Sequence, residues 1–200
     1  PPILRKEFYS NRPTSLEIIK DEINLLIIGG SQGAQFFDNT LKDTIINLSK
    51  KYKLKVYHQI KHDKENHLKN FYDKNKIESF VFGFDENIVE IIKSVNLCIT
   101  RGGASTLSEL IFLNIPSLVI PLPLAKDDHQ FYNSLFYKEL NCCWILRQEE
   151  IMGDILTKFL IKIINNKDEY LEKKINMKKN SYQNTWNIVN KRLIRIINEN

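Results

Sequence analysis

Apolar positions along this chain fall into two alternating patterns. Short, nearly continuous apolar runs occur at "NLLIIG" (24–29), "LKVYHQI" (54–60), "ESFVFGF" (78–84), "NLCIT" (96–100), "SLVIPL" (117–122) and "CCWIL" (142–146). Runs of that length predict strands buried on both faces. Between them apolar residues recur at three- and four-residue spacing: Phe37, Leu41, Ile45 and Leu48; Ile88, Ile91 and Ile92; Leu107, Leu110 and Leu113; Phe131, Leu135 and Leu140. That spacing predicts helices with one apolar face. Strand-then-helix units without hairpin dipeptides predict a parallel sheet covered on both sides. Right-handed crossovers then give a doubly wound, Rossmann-like α/β domain. After Glu149 the strand pattern stops, and "DILTKFLIKIINN", "DEYLEKKINMKKN" and "TWNIVNKRLIRIINEN" predict terminal helices.

Composition narrows the class without naming a chemistry. Two hundred residues, 42% hydrophobic and 26% charged, suffice for one globular domain with its own core. No apolar run approaches the roughly 20 residues of a membrane span. "PPILRKEF" lacks the apolar stretch of a signal peptide, and an opening on Pro-Pro without Met is expected of a piece of a longer protein. Cys98, Cys142 and Cys143 lie in apolar runs and read as structural thiols of a reducing compartment; no Cys-x-x-Cys spacing supports a metal. The net charge of +5 is spread along the chain, too diffuse for a nucleic-acid footprint, leaving a mild attraction to acidic lipid headgroups. Membrane association of this chain is expected to be weak, because its helices need their apolar faces for packing.

Ligands of open α/β sheets bind at the carboxyl ends of the strands, which directs attention to three loops. "GGSQGA" (29–34) is neither a Walker A loop nor GxGxxG, yet it sets backbone N–H groups at a helix start, an arrangement suited to a diphosphate. A glycine turn with nothing bound is the plain alternative. "TRGGASTLSEL" (100–110) repeats the arrangement; here Thr106-x-x-Glu109 also fits a capping box. "PLPLAKDDHQFYNS" (121–134) gathers charges and amides around a helix start, either as an N-cap by Asp127 or Asp128 or as a polar face for a sugar. His58 sits on an apolar strand and reads as core, whereas His62 and His67 read as solvated. No catalytic triad, glycosidase carboxylate pair or zinc spacing emerges, so binding is easier to read here than chemistry.

Together "IGGSQGA", "TRGGASTLSEL" and "KDDHQFYN" resemble, in order and spacing, the signature loops of the MurG family of two-domain GT-B glycosyltransferases. The resemblance extends over essentially the whole chain, from "PPILRKEF", similar to the family's interdomain "GNPVR", to the terminal helices. It implies a linker at residues 1–12 and a C-terminal UDP-GlcNAc-binding domain at 13–200. The family transfers GlcNAc, with inversion, from UDP-GlcNAc to lipid I in peptidoglycan synthesis, at the cytoplasmic face of the bacterial inner membrane. It uses no cofactor, and no Asp-x-Asp in this chain suggests a metal.

By resemblance, Ser31 contacts the nucleotide diphosphate and Arg5 lies at the donor site. The loop holding Asp85 reads uracil through backbone. Ala104, Ser105, Thr106, Leu107, Ser108 and Glu109 wrap the phosphates and ribose, with Glu109 on the ribose hydroxyls, and Gln130 meets the sugar. The chain departs from the family where His129 replaces the first of two glutamines in "KDRQQYWN", and where an extra residue precedes Lys126. The family's Gly-Gly-Thr-Gly-Gly-His loop, with its proposed base and acceptor site, is absent. No catalytic residue is therefore expected here, and lipid I and the membrane surface are expected to be met through an N-terminal half. Another GT-B sugar-nucleotide enzyme, and a non-catalytic donor-binding subunit, stay open as alternatives.

Overall fold

The computed structural model describes residues 3–11, 16–85, 87–123, 126–181 and 186–198, except for the side chains at 30–34, 62 and 126. Six strands appear where the apolar runs predict them: β1 (Glu22–Ile28), β2 (Lys53–Gln59), β3 (Glu78–Phe82), β4 (Leu97–Thr100), β5 (Ser117–Val119) and β6 (Cys143–Ile145). They form one parallel sheet in the order β3-β2-β1-β4-β5-β6. Leu25, Leu26, Ile27 and Ile99 on the central strands are fully buried, as a sheet covered on both faces requires.

The helices are α1 (Lys6–Tyr9), α2 (Gly30–Ser49), α3 (Glu65–Lys74), α4 (Ile88–Lys93), α5 (Ala104–Phe112), α6 (His129–Glu139), α7 (Ile155–Asn165), α8 (Lys167–Asn180) and α9 (Trp186–Asn198). On one face of the sheet, Phe37, Leu41, Ile45 and Leu48 of α2 join Leu68 and Tyr72 of α3 and Leu156 and Leu160 of α7 over Leu25 and Ile27. On the other, Phe8 of α1, Ile88 and Ile92 of α4 and Leu110 of α5 pack on Leu26 and Ile28. Alternate residues of β1 thus feed opposite cores, the period-two rule of a strand.

Two expectations change. In α6 the buried residues are Ser134 and Tyr137, with Phe131, Leu135 and Leu140 only half-buried. Ser134 must be small because it packs beside the Gly102 backbone, and the Tyr137 hydroxyl lies 3.1 Å from Ser108 Oγ, so packing and hydrogen bonding outrank apolar spacing there. The second change concerns α9, which buries none of its residues: Leu193, Ile194, Ile196 and Ile197 are exposed. Its apolar face is not buried among the described residues, so the packing expected of this helix is not seen there. No helix among the described residues is long and apolar enough to cross a membrane. The three cysteines are buried free thiols, and burial raises their pKa values, as inert core thiols require.

Candidate functional site

Strand order reverses between β1 and β4: the chain leaves β1 towards β2 and leaves β4 towards β5. Helices α2 and α5 rise from these neighbouring strands on opposite faces, leaving a crevice at the carboxyl ends. Both helices begin after a glycine, Gly29 and Gly103, that offers no side-chain cap, and neither has an acidic residue in its first turn. Their first N–H groups therefore keep their partial positive charge, which suits an anion between them.

Glu109 is not part of a capping box. Thr106 lies inside α5, two residues beyond Ala104, and the N-cap position belongs to Gly103. A glycine with extended backbone (φ −67°, ψ 126°) begins this helix, so the threonine is already within the first turn and cannot close it. The Glu109 carboxylate instead accepts a hydrogen bond from Arg5 Nε at 3.1 Å. The Glu109 side chain is only 12% exposed, and burial raises its pKa against the opposing pull of Arg5. Arg5 also pairs with Glu7 at 3.1 Å and lies over the Phe8 ring. Sequence spacing alone could not link residues 104 positions apart.

The other expected residues divide. Ala104, Ser105 and Thr106 occupy the first turn of α5, with Ser105 exposed. Leu107 and Ser108 point away from the crevice: Leu107 is core, and Ser108 Oγ donates to Ala104 O at 2.9 Å beside Tyr137. Their side chains are thus removed from the ligand-facing set, because at helical spacing they fall on the inward face. Ser31 is the second residue of α2, and its side chain lies outside the described residues. Asp85 Oδ1 accepts from Asn87 N–H at 2.7 Å, an Asx turn ahead of α4, so the side chain shapes the loop. Beside it Phe84 is 87% exposed.

Gln130 faces two ways. Its Oε1 accepts from Leu122 N–H at 3.0 Å, fixing the chain after β5, while its amide NH2 donates to none of the described residues. The second and third loops touch through backbone. A Cβ on Gly102 would lie 2.0 Å from Gln130 O, and Asn133 Nδ2 donates to Gly102 O at 3.1 Å. Asp127 and Asp128 are successive left-handed residues (φ 54° and 49°), and Asp128 makes no side-chain cap on α6. The N-cap reading therefore fails: in this backbone the carboxylate turns instead toward Arg147, 3.5 Å away. The Arg147 guanidinium also covers the Phe131 ring at 3.8 Å.

The sequence reading did not single out Arg101. It is 4% exposed, and its Nη1 donates to Ile120 O (3.0 Å), Pro121 O (3.2 Å) and Gln148 Oε1 (3.0 Å). Its guanidinium lies over the rings of Phe36 and Phe37 in α2. One side chain therefore ties all three loops at their bases, and burial depresses its pKa only to about 10, so it stays cationic. The available signal was an arginine directly after an apolar strand, where a charge needs a reason.

Comparison with known proteins agrees with this geometry. Residues 24–187 match the glycosyltransferase family 28 C-terminal domain. The chain is 50% identical over 200 residues to the UDP-N-acetylglucosamine--N-acetylmuramyl-(pentapeptide) pyrophosphoryl-undecaprenol N-acetylglucosamine transferase of Pelagibacter ubique, covering all of this chain and 56% of that protein. The transferase of the same name from Rickettsia bellii is 33% identical over 145 residues, 71% of this chain and 41% of that protein. Among solved structures, MurG of Acinetobacter baumannii superposes with a TM-score of 0.73 at 23% identity, covering 87% of this chain and 49% of that one, a likeness of fold. The chain spans about half the length of the curated relatives it matches.

Proposed function

This chain belongs to glycosyltransferase family 28, carrying the family's C-terminal domain, and from that premise we propose that residues 13–200 bind the donor of an inverting glycosyltransferase, with residues 1–12 as the interdomain linker. The reaction moves GlcNAc from UDP-GlcNAc to undecaprenyl-pyrophosphoryl-MurNAc-pentapeptide (lipid I), giving lipid II for the peptidoglycan wall. The observation that carries the reading is the pair of uncapped, acid-free helix starts on neighbouring strands.

The diphosphate sits between those starts. As the glycosidic bond to UDP breaks, charge grows on the leaving diphosphate, and fixed N–H groups stabilise it without reorganising. Buried Arg101 adds a positive charge beneath. Glu109 accepts from the ribose hydroxyls, and Arg5 holds that carboxylate in place. The loop at Asp85 reads uracil through backbone, and the Gln130 amide donates to the sugar. The base and the lipid acceptor belong to an N-terminal half, and the whole enzyme works peripherally at the cytoplasmic face of the inner membrane.

Calorimetric titration with UDP-GlcNAc, beside UDP and other sugar nucleotides, tests the donor assignment. Saturable binding with a preference for UDP-GlcNAc is expected. Failure to bind UDP would remove the reading. The same chain should not glycosylate a lipid I analogue alone, and robust transfer would overturn the division of labour.

A further inference from the structure

Asn133 lies in the second turn of α6, and its Nδ2 donates to Gly102 O at 3.1 Å. Only the NH2 end of a side-chain amide can bond a carbonyl in this way, so the Asn133 side chain has one orientation here. Gly102 itself is pressed against α6: a Cβ there would meet Gln130 O at 2.0 Å and Ser134 Oγ at 2.6 Å. The second loop is thus held to the third by a bare backbone position and by one side-chain donor.

The consequence falls on the next residue. A peptide unit is planar, and no described peptide bond is cis, so the Gly103 N–H points opposite to the Gly102 carbonyl. That carbonyl faces α6, the helix that follows β5, and β5 lies on the far side of β4 from β1. Gly103 N–H is thereby turned toward the β1 side of β4, where α2 starts and the crevice opens. None of the described carbonyls accepts from it. Glycine on both sides of this peptide leaves its plane free to flip as far as local sterics go. The Asn133 bond is the restraint on that flip.

We propose that Asn133 is a positioning residue of the donor site: by holding the Gly102 carbonyl it aims the Gly103 N–H at the diphosphate, without touching the ligand. This role rests on the donor reading proposed above. A donor fixed in advance stabilises an anion without reorganising when charge arrives, whereas a rotating peptide has first to be ordered.

Two variants, two ligands and one spectrum test the role. Asn133→Ala removes the donor, and Asn133→Leu removes it while keeping the bulk of the side chain. In calorimetric titrations each should bind UDP about tenfold more weakly than the parent, or worse, the loss of one hydrogen bond to a charged group. Uridine, titrated to millimolar concentration, lacks the diphosphate and should bind the variants as it binds the parent. In amide NMR spectra of the parent, UDP should move the Gly103 resonance downfield and uridine should not; in Asn133→Ala the movement should be lost. A purely structural Asn133 would weaken both ligands together, and equal losses of UDP and uridine overturn the proposal. Unchanged UDP affinity in the variants, beside a parent that binds UDP, also overturns it. So does a Gly103 amide that UDP leaves unmoved in the parent, which needs neither variant. A parent that binds no UDP removes the donor reading, and this role with it.

Discussion

Arg5 Nε and Glu109 Oε1 stand 3.1 Å apart, joining the segment before α1 to the helix that starts at the sheet's switch point. Burial works against the Glu109 charge and Arg5 works for it, with burial the larger influence. A carboxylate kept where its ionisation costs stability is a candidate for a role beyond folding.

Glu109→Gln therefore separates binding from stability. A carboxylate accepts from two ribose hydroxyls where an amide offers one oxygen, so UDP affinity should fall about 10- to 100-fold. The folded pKa of Glu109 is raised, so the folded chain holds this proton more tightly than the unfolded one. Stability linked to it is full below the ordinary carboxyl value of 4.5 and is lost as pH rises through the raised value. At neutral pH the variant should melt at or above the parent, and melting curves beside UDP titrations check both halves. Unchanged affinity with a lowered melting point would leave Glu109 a purely structural residue.

Gln130 has two atoms with different duties, and two variants separate them. Gln130→Glu keeps an acceptor for Leu122 N–H but removes the NH2 donor. It should weaken UDP-GlcNAc much more than UDP. Gln130→Ala removes both functions and should in addition speed hydrogen exchange at Leu122. Equal loss of the two ligands in Gln130→Glu would mean that the side chain only shapes the loop. His129→Gln, at an exposed position, should be close to neutral.

Gly102 admits no side chain. Gly102→Ala places a Cβ 2.0 Å from Gln130 O and 2.6 Å from Ser134 Oγ. Forcing the loops apart should cost roughly 1–3 kcal/mol, read as a lowered urea midpoint, with donor binding lost. At Gly103 the nearest atom to a new Cβ is Thr106 Oγ1 at 3.8 Å, so Gly103→Ala should fold normally. Similar midpoints for the two variants would refute the close-approach argument.

Arg101→Met strips one donor from three acceptors, Ile120 O, Pro121 O and Gln148 Oε1. A loss of roughly 2–4 kcal/mol is expected from acceptors left buried and unpaired, measured by urea unfolding. Donor affinity should drop in the same variant under conditions where it remains folded. A fully stable variant with normal UDP binding would reduce Arg101 to filler.

The sheet and its three loops were legible because they rest on local period: Ile27 and Ile99 sit in continuous apolar runs, and Gly29–Gly30 and Gly102–Gly103 punctuate their ends. What stayed hidden depends on contacts between distant segments. The Arg5–Glu109 pair, the Arg101 fan and the approach of Gly102 to Gln130 leave no spacing in the chain to detect. Local rules also competed with one another. Thr106 and Glu109 satisfy a capping pattern, yet Gly103 begins the helix, and the apolar spacing of α6 gave way to the Ser134 and Tyr137 packing.

The two left-handed aspartates of the third loop bear on how quickly and cheaply a ligand can be received. Each residue in that backbone region lies roughly 1–2 kcal/mol above ordinary helical geometry, and at Asp128 the carboxylate pairs with Arg147 at 3.5 Å. On the proposed donor assignment, a turn whose backbone is already held gives up little freedom when the sugar arrives, and less affinity is spent on ordering it. Glycine at either position would relax the backbone and make the protein easier to fold, at the expense of a mould that is set in advance. On that assignment, attempts to improve thermal robustness by smoothing this turn would erode recognition first.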